Sequence, residues 1–439
     1  VIPVLFLAWY FPPVGGAGVQ RSLKFARFLP EHGVRPVVLA GPAAQGSRWA
    51  PADASLAAEV PPDLVVLRAE RGPEPRPRDR RWQRLTGADP ALAACWRAFV
   101  LDAGARAAAA HRPRAIVVTL GPYECLAGAL ALGKELALPV IADLRDPWAL
   151  DEMRAYGHRL QQYCDQRRMR QELARCAAVI MNTPAATQML CSAVPTIAGD
   201  RAACITNGYD AGDFAAPPPA APRDGRFRIV HTGYLHSDSA LAADRRLRWR
   251  DLLLGGSRGV DLWGRTHRYL LAAIDRLASD APALAERIEV HLHGVPSPAD
   301  EAETARSPRS AQVRAFGYRP HAETVAAMRA ADLLFLPMQG LPPGQPASIV
   351  PGKTYEYLAS GRPILAAVPD GDARDFVQAA GAGVAVAPDD VDGMVRALRG
   401  FVAAGRATDR PLGAAVARFE RRRLTAQLAD VVRRTVGAA

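Results

Sequence analysis

The sequence predicts an α/β protein made of two domains, each a doubly wound parallel sheet with helices on both faces. Three observations predict it. Short apolar runs alternate with helical patterns along the chain, the rhythm of repeated strand–helix units. A length of 439 residues exceeds the usual ceiling for a single core. A Pro-rich stretch at 215–226, AAPPPAAPRDGR, reads as a linker near the middle. The expected domains are therefore residues 1–214 and 227–411, followed by a C-terminal helical segment at 412–439.

In the first half, residues 4–9 form a strand of the buried type, and a loop carrying Gly15, Gly16 and Gly18 leads into a helix at 19–29. Strand, glycine loop and helix together bring backbone N–H groups close to a phosphate or sugar. Many such turns bind nothing, and neither the G-x-G-x-x-G nor the P-loop pattern is present. Further strands are expected at 35–40, 64–67, 115–119, 139–143 and 178–182, and helices at 91–110, up to 136, and 153–176. Residues 71–84, RGPEPRPRDRRWQR, are too polar for a core and read as a mobile surface loop. Its functional reading is docking on an anionic surface with Trp82 as anchor. Asp143, Arg145 and Asp146 stand at the C-terminal end of a strand, where open α/β sheets bind ligands. One Arg between two carboxylates is a fixed ion-pair cluster or the lining of an acceptor site. Asn207-Gly208 is a turn signal.

The second half restarts with a strand and the Gly233 turn at 228–235. An insertion at 236–264 follows. Its Arg245, Arg246, Arg248, Trp249 and Arg250 beside three leucines read as a basic amphipathic helix for a membrane surface, or as a lid over a ligand. Strands are expected at 288–293, 313–316, 332–337, 364–368 and 384–387, with helices at 269–277, 322–330, 391–403 and 414–436. His291 and His293 alternate on one strand but have no third metal ligand in view, so they read as packed or surface histidines.

The stretch 351–363, PGKTYEYLASGRP, combines a break, a short helix and a Gly–Pro stop. Lys353 and Glu356 are three apart, hence on one face near the helix start. A phosphate can meet Lys353 and the helix N-terminus, leaving Glu356 to accept from sugar hydroxyls. On spacing alone a solvated Lys–Glu pair is the commoner reading, since such pairs are frequent on helices. Against it, Lys24, Lys134 and Lys353 are the only lysines in a chain that otherwise uses Arg.

Net charge +11 and a pI near 9.7 point to an anionic partner such as a nucleoside diphosphate or acidic lipid headgroups. No nucleic-acid recognition module is visible, and nucleic acid is not an expected partner. Six cysteines lack zinc-type spacing and are expected to be free thiols in a reducing cytoplasm. No apolar run approaches the ~20 residues of a membrane span, and no leader pattern opens the chain. The expected location is cytoplasmic, with peripheral contact at the inner membrane face.

The run 353–365 resembles the donor-site segment of glycosyltransferase family four, retaining enzymes of GT-B architecture. YFPPVGGAGVQRSLKFARFLPEHGVRPVVLA resembles that family's opening, and IADLRDPW, ITNGYDAGDF and the Gly233 strand-turn resemble later segments in the same order. The resemblance implies two Rossmann-like domains facing across a cleft, with residues 412–439 crossing back onto the N-terminal domain. It implies a nucleotide-diphosphate sugar donor, its ribose on Glu356 and its diphosphate on Lys353 and Arg265, with Arg258 as a second candidate. Gly15, Gly16, Gly18 and Gly233 become cleft residues that bind the donor, and Asp143, Arg145 and Asp146 belong to the acceptor side. The acceptor is a small molecule, a glycan or a lipid-linked group. The family's first motif Glu falls at Ser348, so Gln339, Gln345 and Ser348 are the neutral groups left to meet the donor sugar. Transfer to an acceptor hydroxyl with retention, without metal or other cofactor, is the expected reaction; no catalytic base is assigned. The alternatives are a non-catalytic sugar-nucleotide-binding or partner protein and a nucleotide-sugar epimerase of the same fold.

Overall fold

A computed structural model describes residues 1–43, 52–217, 224–246 and 259–437. The chain divides into two compact units, Val1–Gly208 with Arg421–Ala439, and Tyr209–Glu420. The division falls before the 215–226 linker, which lies within the second unit.

The first unit holds seven strands: β1 Ile2–Ala8, β2 Val34–Ala40, β3 Val66–Arg68, β4 Ala115–Leu120, β5 Val140–Leu144, β6 Ala178–Met181 and β7 Ala202–Cys204. Their order is β3-β2-β1-β4-β5-β6-β7, every neighbouring pair parallel. The order reverses between β1 and β4, the place where such sheets open a crevice at their C-terminal ends. β1 is apolar throughout because both its faces are covered. Leu5 and Leu7 pack with Trp96 and Val118 on one face; Val4 and Phe6 pack with Leu23 and Val117 on the other. The C-terminal helix Arg421–Gly437 adds Leu424, Leu428 and Val432 to that second face.

The second unit holds β8 Phe227–Thr232, β9 Ile288–His293, β10 Val313–Gly317, β11 Leu333–Pro337, β12 Ile364–Ala367 and β13 Gly383–Val386. The order is β10-β9-β8-β11-β12-β13, again all parallel. Ile229, Phe335 and Leu365 face the helix Arg268–Asp280, while Val230, Leu334 and Ile364 face Tyr355, Tyr357 and Leu358.

Three segments differ from expectation. Residues 77–86 form a helix, not a loop: Pro77 occupies its first turn, the Asp79 carboxylate accepts the Arg76 N–H at 2.8 Å, and Gly87 at φ 78° closes it. The helix expected at 153–176 begins only at Arg159. The helix expected at 414–436 is broken into Ala414–Ala417 and Arg421–Gly437. The break arises because Phe419 packs 4.8 Å from Phe376 and 5.0 Å from Tyr355, while Glu420 pairs with Tyr209. Of the insertion, Ser237–Arg246 is helical; Arg248, Trp249, Arg250, the three leucines and Arg258 lie outside the described residues.

Candidate functional site

In the second unit the candidate residues gather where β8, β9 and β11 end. The chain leaves β8 through Gly233 at φ 88°, a conformation that favours glycine. A Cβ there would stand 3.2 Å from Lys353 Nζ, so the missing side chain is also what admits the ammonium. Gly294, just beyond β9, packs against the same turn; a Cβ on it would meet the Gly233 carbonyl oxygen at 2.3 Å.

Lys353 opens the helix Lys353–Ala359. Tyr355, Tyr357 and Leu358 anchor that helix in the core, and the Tyr357 hydroxyl accepts the Thr232 N–H at 2.8 Å, tying the helix to the end of β8. Lys353 Nζ lies 3.1 Å from His231 Nε2, and His231 Nδ1 lies 3.1 Å from the Phe335 carbonyl oxygen. A carbonyl only accepts, so Nδ1 carries the proton and Nε2 accepts from Lys353. Burial, then the neighbouring Lys353, holds His231 well below the usual imidazole range, which keeps it neutral. Burial also pulls Lys353 down to about 7; Arg265 adds to this and Glu356 opposes it.

Arg265 ends the short turn Leu262–Arg265, which is set by paired backbone hydrogen bonds between Asp261 and Gly340 at 2.9 and 2.7 Å. Its Nη1 donates to Gln339 Oε1 at 3.1 Å. Glu356, one helical turn beyond Lys353, has its carboxylate 3.8 Å from His321 Nε2, and His321 also meets Asp213 at 3.0 Å. Two cations, a neutral imidazole and a carboxylate thus share one end of the sheet. The helix N-terminus itself contributes less than its position suggests, because the Thr354 and Tyr355 N–H groups donate to the Pro351 and Gly352 carbonyls. Anion binding there falls on side chains.

Gly233, Lys353, Arg265 and Glu356 are brought together. Gln339 is buried and engaged by Arg265, Ser348 is buried at 1% exposure beside the Ala347–Gly371 bridge, and Gln345 is exposed. His231 and His321 were missed in the sequence. His321 carried a weak signal, as the residue opening the helix after β10; His231 carried none. His291 is engaged by Glu289 at 3.3 Å, and His293 stacks on Phe316 with centroids 4.6 Å apart.

In the first unit the glycine loop and Arg145 come together at the β1/β4 switch. Gly16 at φ 93° precedes the helix Ala17–Phe28, and Gly15 is buried just before it. A Cβ on Gly18 would fall 1.8 Å from Arg145 Nη1, and one on Gly121 would fall 2.4 Å from Nη2. Arg145 thus lies across two glycines, donating from Nε to the Leu120 carbonyl at 3.2 Å, with Tyr10 facing its guanidinium. Asp143 is placed otherwise. It is fully buried, its oxygens accept from Arg21 Nη2 at 2.6 Å and Nε at 3.0 Å, and Arg21 also donates to the Ile205 and Thr206 carbonyls. This carboxylate ties the first helix to the sheet's far strands rather than lining an acceptor site. Asp146 is half-buried, its backbone carbonyl 3.5 Å from the Tyr123 hydroxyl.

Residues 260–403 match the family described as glycosyl transferases group 1. The chain is similar in structure to sucrose-phosphate synthase from Thermosynechococcus elongatus, with a TM-score of 0.65, 16% identity and 100% of each chain covered. It is similar to HepE from Anabaena in complex with UDP-glucose, at TM-score 0.59 and 16% identity, covering 99% of this chain and 100% of that one. A UDP-GlcNAc 2-epimerase from Neisseria meningitidis bound to UDP-GlcNAc superposes at TM-score 0.54 and 12% identity, with 100% of each chain covered. No curated protein matches the sequence. The two parallel sheets have the GT-B fold of these structures. The stretch matched by the glycosyl transferases group 1 family, residues 260–403, carries Arg265, Lys353 and Glu356.

Proposed function

We propose that the second unit binds a nucleoside-diphosphate sugar and that the chain transfers the sugar to an acceptor hydroxyl, with retention and without metal. The observation that carries this reading is the placement of Lys353 and Arg265 beside the Gly233 turn, with Glu356 one turn on. The two cations stabilise the charge that develops on the departing diphosphate. The Gly233 turn admits that group close to the backbone, and Glu356, one helical turn beyond Lys353, accepts from the ribose hydroxyls. Lys353 and Arg265 supply the countercharge that a divalent cation otherwise provides. The acceptor is assigned to the first unit, on Arg145 at the β1/β4 switch.

Thermal denaturation with UDP, GDP, ADP, dTDP and their sugars tests the donor assignment. A nucleotide present at ~100 times its dissociation constant should stabilise the protein by about 2.7 kcal/mol. Glu356→Ala should lose most of that stabilisation. If no nucleotide stabilises either protein, the donor site is not where we place it. Turnover unchanged by EDTA, and a product anomer matching the donor's, are the results expected for the two finer clauses.

A second reading, a sugar-nucleotide-binding protein without transfer, is favoured by Ser348, which stands buried where the resembled family carries a carboxylate. Release of nucleoside diphosphate only when an acceptor is present separates transfer from it.

A further inference from the structure

The helix Pro77–Thr86 buries none of its residues. Its Trp82 is 54% exposed and its Leu85 46%. The start of a second helix, Arg159–Leu173, lies against it: Gln161 Nε2 donates to the Gln83 carbonyl at 3.3 Å, and His158 Nε2 donates to the Arg84 carbonyl at 3.2 Å. On that helix Leu160 and Tyr163 are also more than half exposed, at 52% and 57%. Large apolar side chains on two touching helices are thus left about half in water by the folding of the unit.

The spacing sorts each helix into faces. Trp82 and Leu85 are three apart, and Arg78 and Arg81 lie four before each, on the same side. Leu160 and Tyr163 are continued in the same way by the exposed Arg167 and Arg170. The first helix carries Arg78, Arg80, Arg81 and Arg84 against one carboxylate, Asp79. The opposite side of the second helix is committed to the unit. Its buried Asp165 accepts from Trp148 Nε1 at 3.0 Å and the Tyr156 hydroxyl at 2.8 Å and pairs with Arg154 and Arg168, while Met169 and Leu173 join the core. The outward faces take no part in that packing.

We propose that this helix pair docks the first unit onto an anionic lipid surface. Trp82, Leu85, Leu160 and Tyr163 enter the boundary between headgroups and acyl chains, and the arginines beside them meet lipid phosphates. Charge complementarity selects this occupant over an apolar protein groove, which would leave the guanidinium groups facing nonpolar surface. The chain's net charge of +11 acts in the same direction. Among the described residues no helix is long and apolar enough to cross a membrane, so the contact is peripheral. The inference rests on the first unit and is independent of the donor site.

Cosedimentation of the full chain with vesicles tests it. Vesicles of phosphatidylcholine alone should bind little; those with about 30% phosphatidylglycerol should bind the protein, and about 0.5 M salt should release it. Trp82→Ser with Leu85→Ser should weaken binding by roughly tenfold or more, and Arg78→Glu with Arg81→Glu by about fivefold or more per arginine. All four positions are exposed, so these variants should melt with the wild type. Arg396→Glu, an exposed change in the other unit, should bind as wild type does. Failure of the wild type to bind anionic vesicles, or equal binding by the Trp82/Leu85 variant, overturns the proposal.

Discussion

Replacing Lys353 with alanine should lower transfer by roughly two to three orders of magnitude, the scale seen when one preorganised charge-stabilising donor is removed. Its ammonium is positioned on both sides, by His231 at 3.1 Å and by the close approach that Gly233 permits. The pH dependence follows from its pKa of about 7 in the free protein. An anionic ligand favours the charged form, so binding takes up a proton. Nucleoside diphosphate affinity should fall as pH rises above about 7, by up to tenfold per unit. Folding has the opposite slope. A lysine depressed in the folded state binds fewer protons there than in the unfolded chain, so stability should rise from about pH 7 toward the ordinary lysine value near 10.4. Titration calorimetry and melting across that range should show both slopes in the wild type and neither in Lys353→Ala. A variant with normal turnover and an unchanged pH profile would remove Lys353 from the site.

Asp143→Ala should cost about 3–5 kcal/mol of stability, because it leaves the Arg21 guanidinium buried without its countercharge. Arg21 is 6% exposed and Asp143 0%. Urea unfolding measures the loss. The double variant Arg21→Met, Asp143→Leu should recover most of it, since apolar replacements remove both charges together. If Asp143→Ala instead abolishes transfer while leaving stability intact, this carboxylate acts on the acceptor and not on the fold.

The two sheets were legible because parallel strands buried on both faces appear as unbroken apolar runs, as at β1 and β11. The helix Pro77–Thr86 was not, because a helix with no buried residue has no apolar period to read. Its Pro–Arg composition reads as loop. In the candidate site, Lys353 and Glu356 could be paired by spacing alone. Their partners could not: Lys353 meets His231 and Glu356 meets His321 only once distant strands and helices are in place. The same holds for Arg21 and Asp143, which stand 122 residues apart in the chain. Residues 414–436 read as one helix because local propensity runs through Phe419 and Glu420, while the packing that breaks it is tertiary.

The assignment of Arg421–Gly437 to the first unit bears on the order in which the protein can be made. Residues 209–420 are one uninterrupted segment, complete as soon as they clear the ribosome. The first unit, begun earlier, must wait through that synthesis without its last helix. Leu428 and Val432, both at 0% exposure in the finished protein, reach it last. During translation the unit that starts first is therefore finished second, and for that interval the apolar surface destined for the last helix is what a chaperone would hold.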